Sequence, residues 1–259
     1  MPIAAGLHYF LHEGGKPTRP PLVLIHGAGG DHLSWPPEIR GLSNVHIFAL
    51  DLPGHGKSAG SGRQSVEEYA DCVIDFMDAL SLSRAVFVGH AMGGAIALTL
   101  ALDNPERVAG IGLISSGPRL PIASSILENS SNPATFLLAV QSLHDLMHIS
   151  GSAANVKEQT IKKLSSIRQT LFQGDLRACD QFDVSTRLEA IETSALVVCG
   201  AEDKLTPRHF SDSLAERISG AALQTIDGAG HLVMLEQPRR VAGLLSVFLL
   251  TIPYIPGFN

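Results

Sequence analysis

The 259 residues of the chain fit a single α/β domain that carries an insertion. Hydrophobic residues make up 45% of the sequence and charged residues 17%, a balance that excludes a disordered chain, a coiled coil and a collagen-like fibre. The net charge of −6 and the lack of long basic runs argue against nucleic acid as a partner. The first residues lack the basic region of a signal peptide, so we expect a cytoplasmic protein.

Short apolar runs alternate along the chain with segments of helical periodicity. The apolar runs predict buried strands at 21–26, 45–50, 85–88, 108–114, 195–198 and 223–226. Helical spacing follows Ser65, and prolines at 207 and 238 mark the starts of two later helices. Because the strands are continuously apolar and alternate with helices, the sequence predicts the α/β class, with a doubly wound and mostly parallel sheet.

One interval departs from this alternation. No strand-like run occurs from 118 to 185, where the sequence is helical and more polar. Connections between strands and helices are usually short, so this interval predicts an inserted helical cap, 118–185. The α/β core then consists of 1–117 and 186–259. Because insertions at the carboxyl ends of parallel strands commonly cover a binding crevice, we expect the cap to cover the functional site.

The longest apolar run, 85–102, has the length of a membrane span but does not predict one. His90 and three glycines interrupt it and indicate a strand, a tight turn and a helix. The segment Gly89-His90-Ala91-Met92-Gly93-Gly94, called the elbow below, matches the nucleophile elbow G-x-S-x-G except at its centre, where Ala91 stands instead of serine. Glycines are required beside the strained central residue because larger side chains would clash there.

Two further residues have the positions of a catalytic acid and base. Asp203 follows the strand predicted at 195–198, and His231 follows the strand that ends near Ile226. With a serine at position 91, His231 would accept the hydroxyl proton, and Asp203 would orient the imidazole and stabilise its cation. A loop Asp or His alone is most often a turn residue or a helix cap. Three positions in this order, each after a strand, predict a catalytic triad.

The chain resembles the α/β-hydrolase superfamily, among its carboxylesterase-like members with a helical cap. The resemblance rests on the motifs above and on three more segments, His26-Gly27-Ala28-Gly29-Gly30, Asp51-Leu52-Pro53-Gly54-His55-Gly56-Lys57-Ser58 and Glu236-Gln237-Pro238. It implies an ester hydrolase that forms an acyl-enzyme on a small-molecule ester. It also implies an oxyanion hole made by the backbone N–H groups of Ala28 and Met92.

Ala91 leaves two interpretations open. Loss of the nucleophile alone costs about 10⁶-fold in kcat in a well-studied serine protease, so the chain as written is expected to be inactive. The intact Asp203, His231 and elbow glycines favour an engineered serine-to-alanine substitution. The alternative is a natural hydrolase-fold protein that binds ligands without turnover. Thioesterase, lactonase and carbon–carbon hydrolase activities are alternatives to the esterase, although Leu232 stands where carbon–carbon hydrolases often carry Trp.

Two nucleotide-binding motifs are incomplete, so no cofactor is expected. A P-loop that ends in Gly56-Lys57-Ser58 would need a glycine where the chain has Asp51. A dinucleotide-binding motif that starts at Gly27 would need its third glycine where the chain has His32. Neither phosphate-binding loop is therefore predicted.

Metal binding is not expected either. His144 and His148 are near the spacing of a zinc-binding H-E-x-x-H, but Asp145 replaces the glutamate and the sequence offers no third ligand. The cysteines at 72, 179 and 199 are too scattered for a disulfide framework or a zinc site, and we expect buried thiols. Apolar residues of the cap are expected to pack in its core or shape the acyl pocket: Leu127, Phe136, Leu137, Leu143, Met147 and Phe172.

Overall fold

A computed structural model describes residues 2–15 and 17–253, so the predicted core segments 1–117 and 186–259 extend beyond the described residues at both ends. The strands are β1 (Ile3–Ala4), β2 (Leu7–His12), β3 (Leu22–Ile25), β4 (Ile47–Leu50), β5 (Ala85–His90), β6 (Val108–Ile114), β7 (Ala195–Gly200) and β8 (Ala222–Ile226). The helices are α1 (Pro37–Arg40), α2 (Val66–Ala79), α3 (Met92–Asp103), α4 (Ser124–Ser131), α5 (Phe136–Met147), α6 (Ala154–Ser166), α7 (Gln169–Gln181), α8 (Arg208–Arg217), α9 (Val233–Glu236) and α10 (Pro238–Thr251). Short 3₁₀ turns lie at His32–Ser34, Pro105–Arg107 and Leu188–Ala190.

The strands form one sheet, which confirms the predicted α/β class. Among the described residues its strand order is β1-β2-β4-β3-β5-β6-β7-β8. The pairs β1–β2 and β2–β4 are antiparallel, and every later pair is parallel. All residues of β3, β5, β6 and β7 are buried, as a sheet covered on both faces requires. The parallel register brings the carboxyl ends of β3, β5, β6 and β7 to one edge of the sheet.

Helices cover both faces of the sheet. Alternate residues of each strand point to opposite faces, so Val23 and Phe87 pack in one apolar layer and Leu24 and Val88 in the other. The first layer also holds residues of α2, α3 and α8, and the second holds residues of α1 and α10. Ser65 begins α2 as predicted, since its hydroxyl accepts the Glu68 N–H at 3.2 Å. No helix of the described residues is long and apolar enough to cross a membrane.

The helices α4 to α7 lie between β6 and β7, inside the interval 118–185. The two ends of this interval meet, because Arg119 and Asp183 form an antiparallel bridge and Val184 donates its N–H to the Pro118 carbonyl at 2.9 Å. The Phe136 and Phe172 rings pack edge to face, with centroids 5.9 Å apart, in the interior of this insertion. The insertion therefore leaves and re-enters the core at one point.

Candidate active site

Ala91 connects β5 to α3 in a strained conformation. Its φ of 49° and ψ of −110° lie where residues other than glycine rarely occur. The turn is held on both sides, since Ala91 donates its N–H to the Ile114 carbonyl at 3.0 Å and the Ser116 hydroxyl donates to the Ala91 carbonyl at 2.9 Å. Strained residues of this kind cluster at functional sites.

The elbow glycines are required by backbone contacts. A Cβ on Gly89 would lie 2.0 Å from the carbonyl of Gly93, and a Cβ on Gly93 would lie 2.1 Å from the Ile25 oxygen. Both contacts are with backbone atoms, which cannot move aside as a side chain can. The strand, the turn and the helix therefore approach each other closely only because these positions carry no side chain.

Asp203 and His231 form a buried pair. The Nδ1–H of His231 lies 3.0 Å from Oδ2 of Asp203, and the side chains are 4% and 0% exposed. Thr206 donates its backbone N–H to Oδ1 of Asp203 at 2.9 Å and its hydroxyl to Oδ2 at 2.7 Å. Burial alone would raise the pKa of Asp203, but His231 and Thr206 outweigh burial and lower it to about 2. A proton on Nδ1 leaves Nε2 of His231 as the basic nitrogen. By contrast, the neighbouring Glu202 side chain is exposed.

His90 supports the loop that carries His231. The two imidazole rings lie with centroids 4.8 Å apart, and Nε2 of His90 donates to the His231 carbonyl at 3.0 Å. Burial and the neighbouring His231 lower the pKa of His90 to about 3, so its ring is neutral at pH 7. The sequence had indicated only that His90 interrupts an apolar run.

The loop after β3, residues 27–30, contains Ala28, a predicted oxyanion donor, and is called the oxyanion loop below. It turns back on itself, with the Gly30 N–H donated to the Gly27 carbonyl at 2.9 Å. Gly29 has a φ of +66° and donates its N–H to Oδ2 of Asp175, a cap residue, at 2.8 Å. Among the described residues, no hydrogen bond occupies the N–H of Ala28 or of Met92, which begins α3.

A narrow cavity of about 60 Å³ brings the predicted residues together. Ala28, Ala91, Met92 and His231 all line it. Most of the other lining residues are apolar: Leu120, Pro121, Ile122, Leu143, Met147, Leu176, Cys179 and Leu205. A second cavity of about 220 Å³ shares Gly27, Ala28, His90 and Met147 with the first and is lined on its far side by α6.

The cap residues expected near the acyl pocket divide into different environments. Leu143 and Met147 line the cavity beside Ala91, whereas Phe136 and Phe172 pack against each other. Leu137 is 61% exposed and contributes to neither.

Two histidine groups have the composition of metal ligands. The His144 and His148 rings lie with centroids 4.6 Å apart, and Nε2 of His144 already donates to the Lys157 carbonyl at 3.0 Å. Among the described residues, His8, His32 and Asp51 form the group that could hold a metal ion. The Asp51 oxygens, however, already accept Nδ1–H of His8 at 2.6 Å and Nδ1–H of His32 at 2.8 Å. Each oxygen also accepts a backbone N–H, so hydrogen bonds satisfy both oxygens of the Asp51 carboxylate.

Comparisons with known proteins agree with this architecture. A model of the alpha/beta hydrolase family matches residues 22–244. The chain is 30% identical to "Putative carbamate hydrolase RutD" of Caulobacter vibrioides, over 94% of this chain and 95% of that protein. It is also 30% identical to a 2-hydroxymuconate semialdehyde hydrolase of Pseudomonas putida, over 95% and 92% of the two chains. The solved structure of Est816, described as an N-acyl homoserine lactone degrading enzyme, has a TM-score of 0.84 and 28% identity, over 93% and 96%. The chain belongs to the alpha/beta hydrolase family.

Proposed function

We propose that the cavity beside Ala91 is the active site of a serine hydrolase of carboxylic esters, and that the chain as written has lost turnover with its nucleophile. One observation carries the proposal. His231, held by Asp203, lines the same cavity as Ala91, Ala28 and Met92. A base, a nucleophile position and two unoccupied N–H donors around one space are what acyl transfer requires.

The roles follow from the chemistry of each group. A serine Oγ at position 91 attacks the ester carbonyl carbon while its proton moves to Nε2 of His231. The carbonyl oxygen becomes an oxyanion, which the N–H groups of Ala28 and Met92 bind. The imidazolium, stabilised by Asp203, then gives its proton to the departing alkoxide, and an acyl-enzyme is left. Water attacks the acyl-enzyme while its proton moves to Nε2 of His231, and the imidazolium then returns that proton to the departing serine Oγ as the carboxylic acid is released.

Alanine at position 91 is proposed to replace a serine by design. The strained φ of 49° and the backbone contacts of Gly89 and Gly93 serve to present a side chain at the turn. A methyl group cannot use this arrangement for covalent chemistry. The rival interpretation is a natural binding protein that retains the same pocket, and the experiment below separates the two.

The substrate is proposed to carry a small, apolar acyl group. The cavity of about 60 Å³ is the smaller of the two cavities that meet at Ala28, and its walls are mostly apolar, which suits a short acyl group. The cap, 118–185, supplies the apolar residues Leu143, Met147 and Leu176 of its walls. Carbamates, lactones and carbon–carbon bonds are the alternatives, since relatives named for hydrolases of these classes match the chain.

Restoring serine at position 91 tests the proposal. The Ala91→Ser protein should release nitrophenolate from p-nitrophenyl acetate with a burst of acylation, and its rate should fall as the acyl chain lengthens to decanoyl. Ala91→Ser/His231→Ala is the matched control and should show no burst. A lactone, a carbamate and 2-hydroxymuconate semialdehyde, assayed in parallel, rank the alternative substrates.

Crystals of the unaltered chain with a short carboxylate supply a measurement independent of turnover. We expect a ligand oxygen about 2.7–3.1 Å from the N–H groups of Ala28 and Met92, the range of an oxyanion hole. The binding-protein interpretation is favoured if the Ala91→Ser protein folds but turns over no substrate, while crystals of the unaltered chain still bind the carboxylate. Density for the ligand elsewhere would overturn the assignment of the oxyanion hole.

A further inference from the structure

Asp175 is a cap residue whose carboxylate is buried against the core. It lies in α7 and has no exposed surface. The helix approaches the core backbone closely at this point, since a Cβ on the adjacent Gly174 would lie 3.1 Å from the Arg63 carbonyl oxygen. A buried carboxylate is costly unless hydrogen bonds or a cation compensate it, so its partners define what it does.

Three separate core segments donate to this carboxylate. Oδ2 accepts the backbone N–H of Gly29 at 2.8 Å and Nε2–H of His55 at 2.8 Å. Oδ1 accepts the hydroxyl of Tyr69 at 2.6 Å. The donors belong to the oxyanion loop, to the loop after β4 and to α2. One side chain of the cap therefore joins three segments of the core.

The surroundings of His55 favour a positive charge on its ring, which would compensate Asp175. Burial alone would lower the pKa of His55, but the Asp175 carboxylate outweighs burial and raises it. The geometry agrees, because Nδ1 of His55 faces the Pro53 carbonyl at 3.1 Å while Nε2 faces Asp175. Both ring nitrogens face acceptors, as a doubly protonated imidazole requires.

Two consecutive peptide groups of the oxyanion loop are fixed by different partners. The peptide that contains the Ala28 N–H has the Gly27 carbonyl at its other end, and that oxygen accepts Nδ1–H of His26 at 2.8 Å. The next peptide contains the Gly29 N–H, which Asp175 holds. A core histidine thus fixes the first peptide, and a cap carboxylate fixes the second.

From this arrangement we propose that Asp175 is a positioning residue for the oxyanion loop. Asp175 holds the peptide that follows Ala28, and His26 holds the peptide that precedes it, so the two together fix the direction in which the Ala28 N–H points. The inference rests on the proposed function, because it assigns Asp175 to the oxyanion hole of that reaction. Its measurable consequence is a loss of transition-state binding that exceeds the loss of substrate binding.

Two variants of the Ala91→Ser protein separate positioning from simple structural support. Asp175→Ala removes the acceptor from Gly29, and we expect kcat on p-nitrophenyl acetate to fall about 10²-fold with KM changed less than threefold. Tyr69→Phe is the matched control. It removes one hydrogen bond to the same carboxylate without touching Gly29, so the melting temperature should fall while kcat stays within about twofold.

Asp175→Asn provides the conservative rescue. Its amide oxygen can still accept from Gly29 and His55, and its NH₂ can donate to the Tyr69 hydroxyl. We expect kcat to recover to within about fivefold of the Asp175 protein. Should Asp175→Ala fail to fold, Asp175→Ser serves in its place, because its side chain is one atom too short to hold Gly29.

Hydrogen exchange in the unaltered chain tests the inference without turnover. The Gly29 amide should exchange at least tenfold faster in Asp175→Ala than in Tyr69→Phe. Equal exchange in the two variants, or a fall in kcat shared by both, would overturn the positioning role. If the Ala91→Ser parent has no activity, the proposed function fails, and the exchange result still decides whether Asp175 holds the loop.

Discussion

The elbow and the oxyanion loop are neighbouring glycine-containing turns that are held by different means. In the elbow, 89–94, backbone packs against backbone. A Cβ added at Gly89 or Gly93 would lie about 2 Å from a backbone atom. The oxyanion loop, 27–30, is surrounded by side chains. An added Cβ at Gly29 would meet Ile167 Cδ1 at 2.5 Å, and the Gly29 N–H is held by Asp175.

The contrast divides the candidate site between the core and the cap. The elbow takes its shape from β3, β5 and α3, which pack together in the core whatever side chain position 91 carries. The oxyanion loop takes part of its shape from α6 and α7, which belong to the cap. A change in cap docking should therefore move the Ala28 N–H, the proposed oxyanion donor, and leave position 91 unchanged.

The largest expected effect breaks the elbow itself. Gly93→Ala places a methyl group 2.1 Å from the Ile25 oxygen, and no flexible side chain can yield, so we expect no folded protein on circular dichroism. Gly243→Ala in α10 is the control, since nothing lies within 4 Å of its Cβ and the site is exposed. It should stabilise the chain by about 0.5–1 kcal/mol. Equal behaviour of the two variants would contradict the steric account of the elbow.

The second prediction concerns Asp203, the proposed acid of the triad. In the Ala91→Ser protein, Asp203→Asn should lower kcat about 10⁴-fold, because an amide favours the wrong imidazole tautomer of His231. Glu202→Gln should change kcat less than twofold, since that side chain is exposed. Steady-state kinetics on p-nitrophenyl acetate measure both variants. If Asp203→Asn leaves kcat unchanged and Glu202→Gln abolishes turnover, the acid of the triad is Glu202 and not Asp203.

The third prediction applies the same glycine-to-alanine change to the oxyanion loop. In Gly29→Ala, the alanine would have to adopt a positive φ. Its methyl group would contact the side-chain ends of Ile167, Phe172 and Leu164, which can shift. We expect a folded protein whose free energy of unfolding is about 1–3 kcal/mol lower, measured by urea denaturation. An unfolded Gly29→Ala protein would show that this loop is as tightly constrained as the elbow.

The smallest predicted effect is a pH dependence at the cap–core contact. The folded pKa of His55 is raised above its ordinary value of 6.5, so the stability from its pairing with Asp175 is present below pH 6.5. That contribution is lost as the pH rises through the raised pKa. The difference in unfolding free energy between the unaltered chain and His55→Gln should therefore be larger at pH 6 than at pH 9. A difference that does not vary with pH would exclude a charged His55.

The parallel part of the sheet could be predicted because its strands are continuously apolar. The β1–β2 edge could not, since Leu7–His12 contains His8 and His12 and becomes exposed towards its end. His8 is nevertheless buried, because Asp51, 43 residues away, accepts its ring N–H at 2.6 Å. The burial of a polar residue such as His8 depends on a partner that is distant in the sequence, and local hydrophobic periodicity does not reveal that partner.

The predicted groups at 28, 91, 92 and 231 line one cavity, and Asp203 had been named as the partner of His231, but the role of Asp175 was missed. Asp175 had one usable signal, since it falls on the apolar stripe of α7 at helical spacing from Leu171, Phe172 and Cys179. An acid on such a stripe indicates burial. Its partners Gly29, His55 and Tyr69 lie 146, 120 and 106 residues away, so only the fold shows which atoms it binds.

The thiols of Cys72, Cys179 and Cys199 are free and buried, as the sequence predicts. Burial raises the pKa of the Cys72 and Cys179 thiols, which suppresses the reactive thiolate even at Cys179, a lining residue of the elbow cavity. A thiol introduced by Ala91→Cys would stand at the N-terminus of α3 in the same cavity as His231, where thiolates are stabilised. An alkylating reagent should then label position 91 alone. The unaltered chain is the unlabelled control. Access of the reagent to the elbow can therefore be measured by mass spectrometry, as one adduct per molecule, without any catalysis.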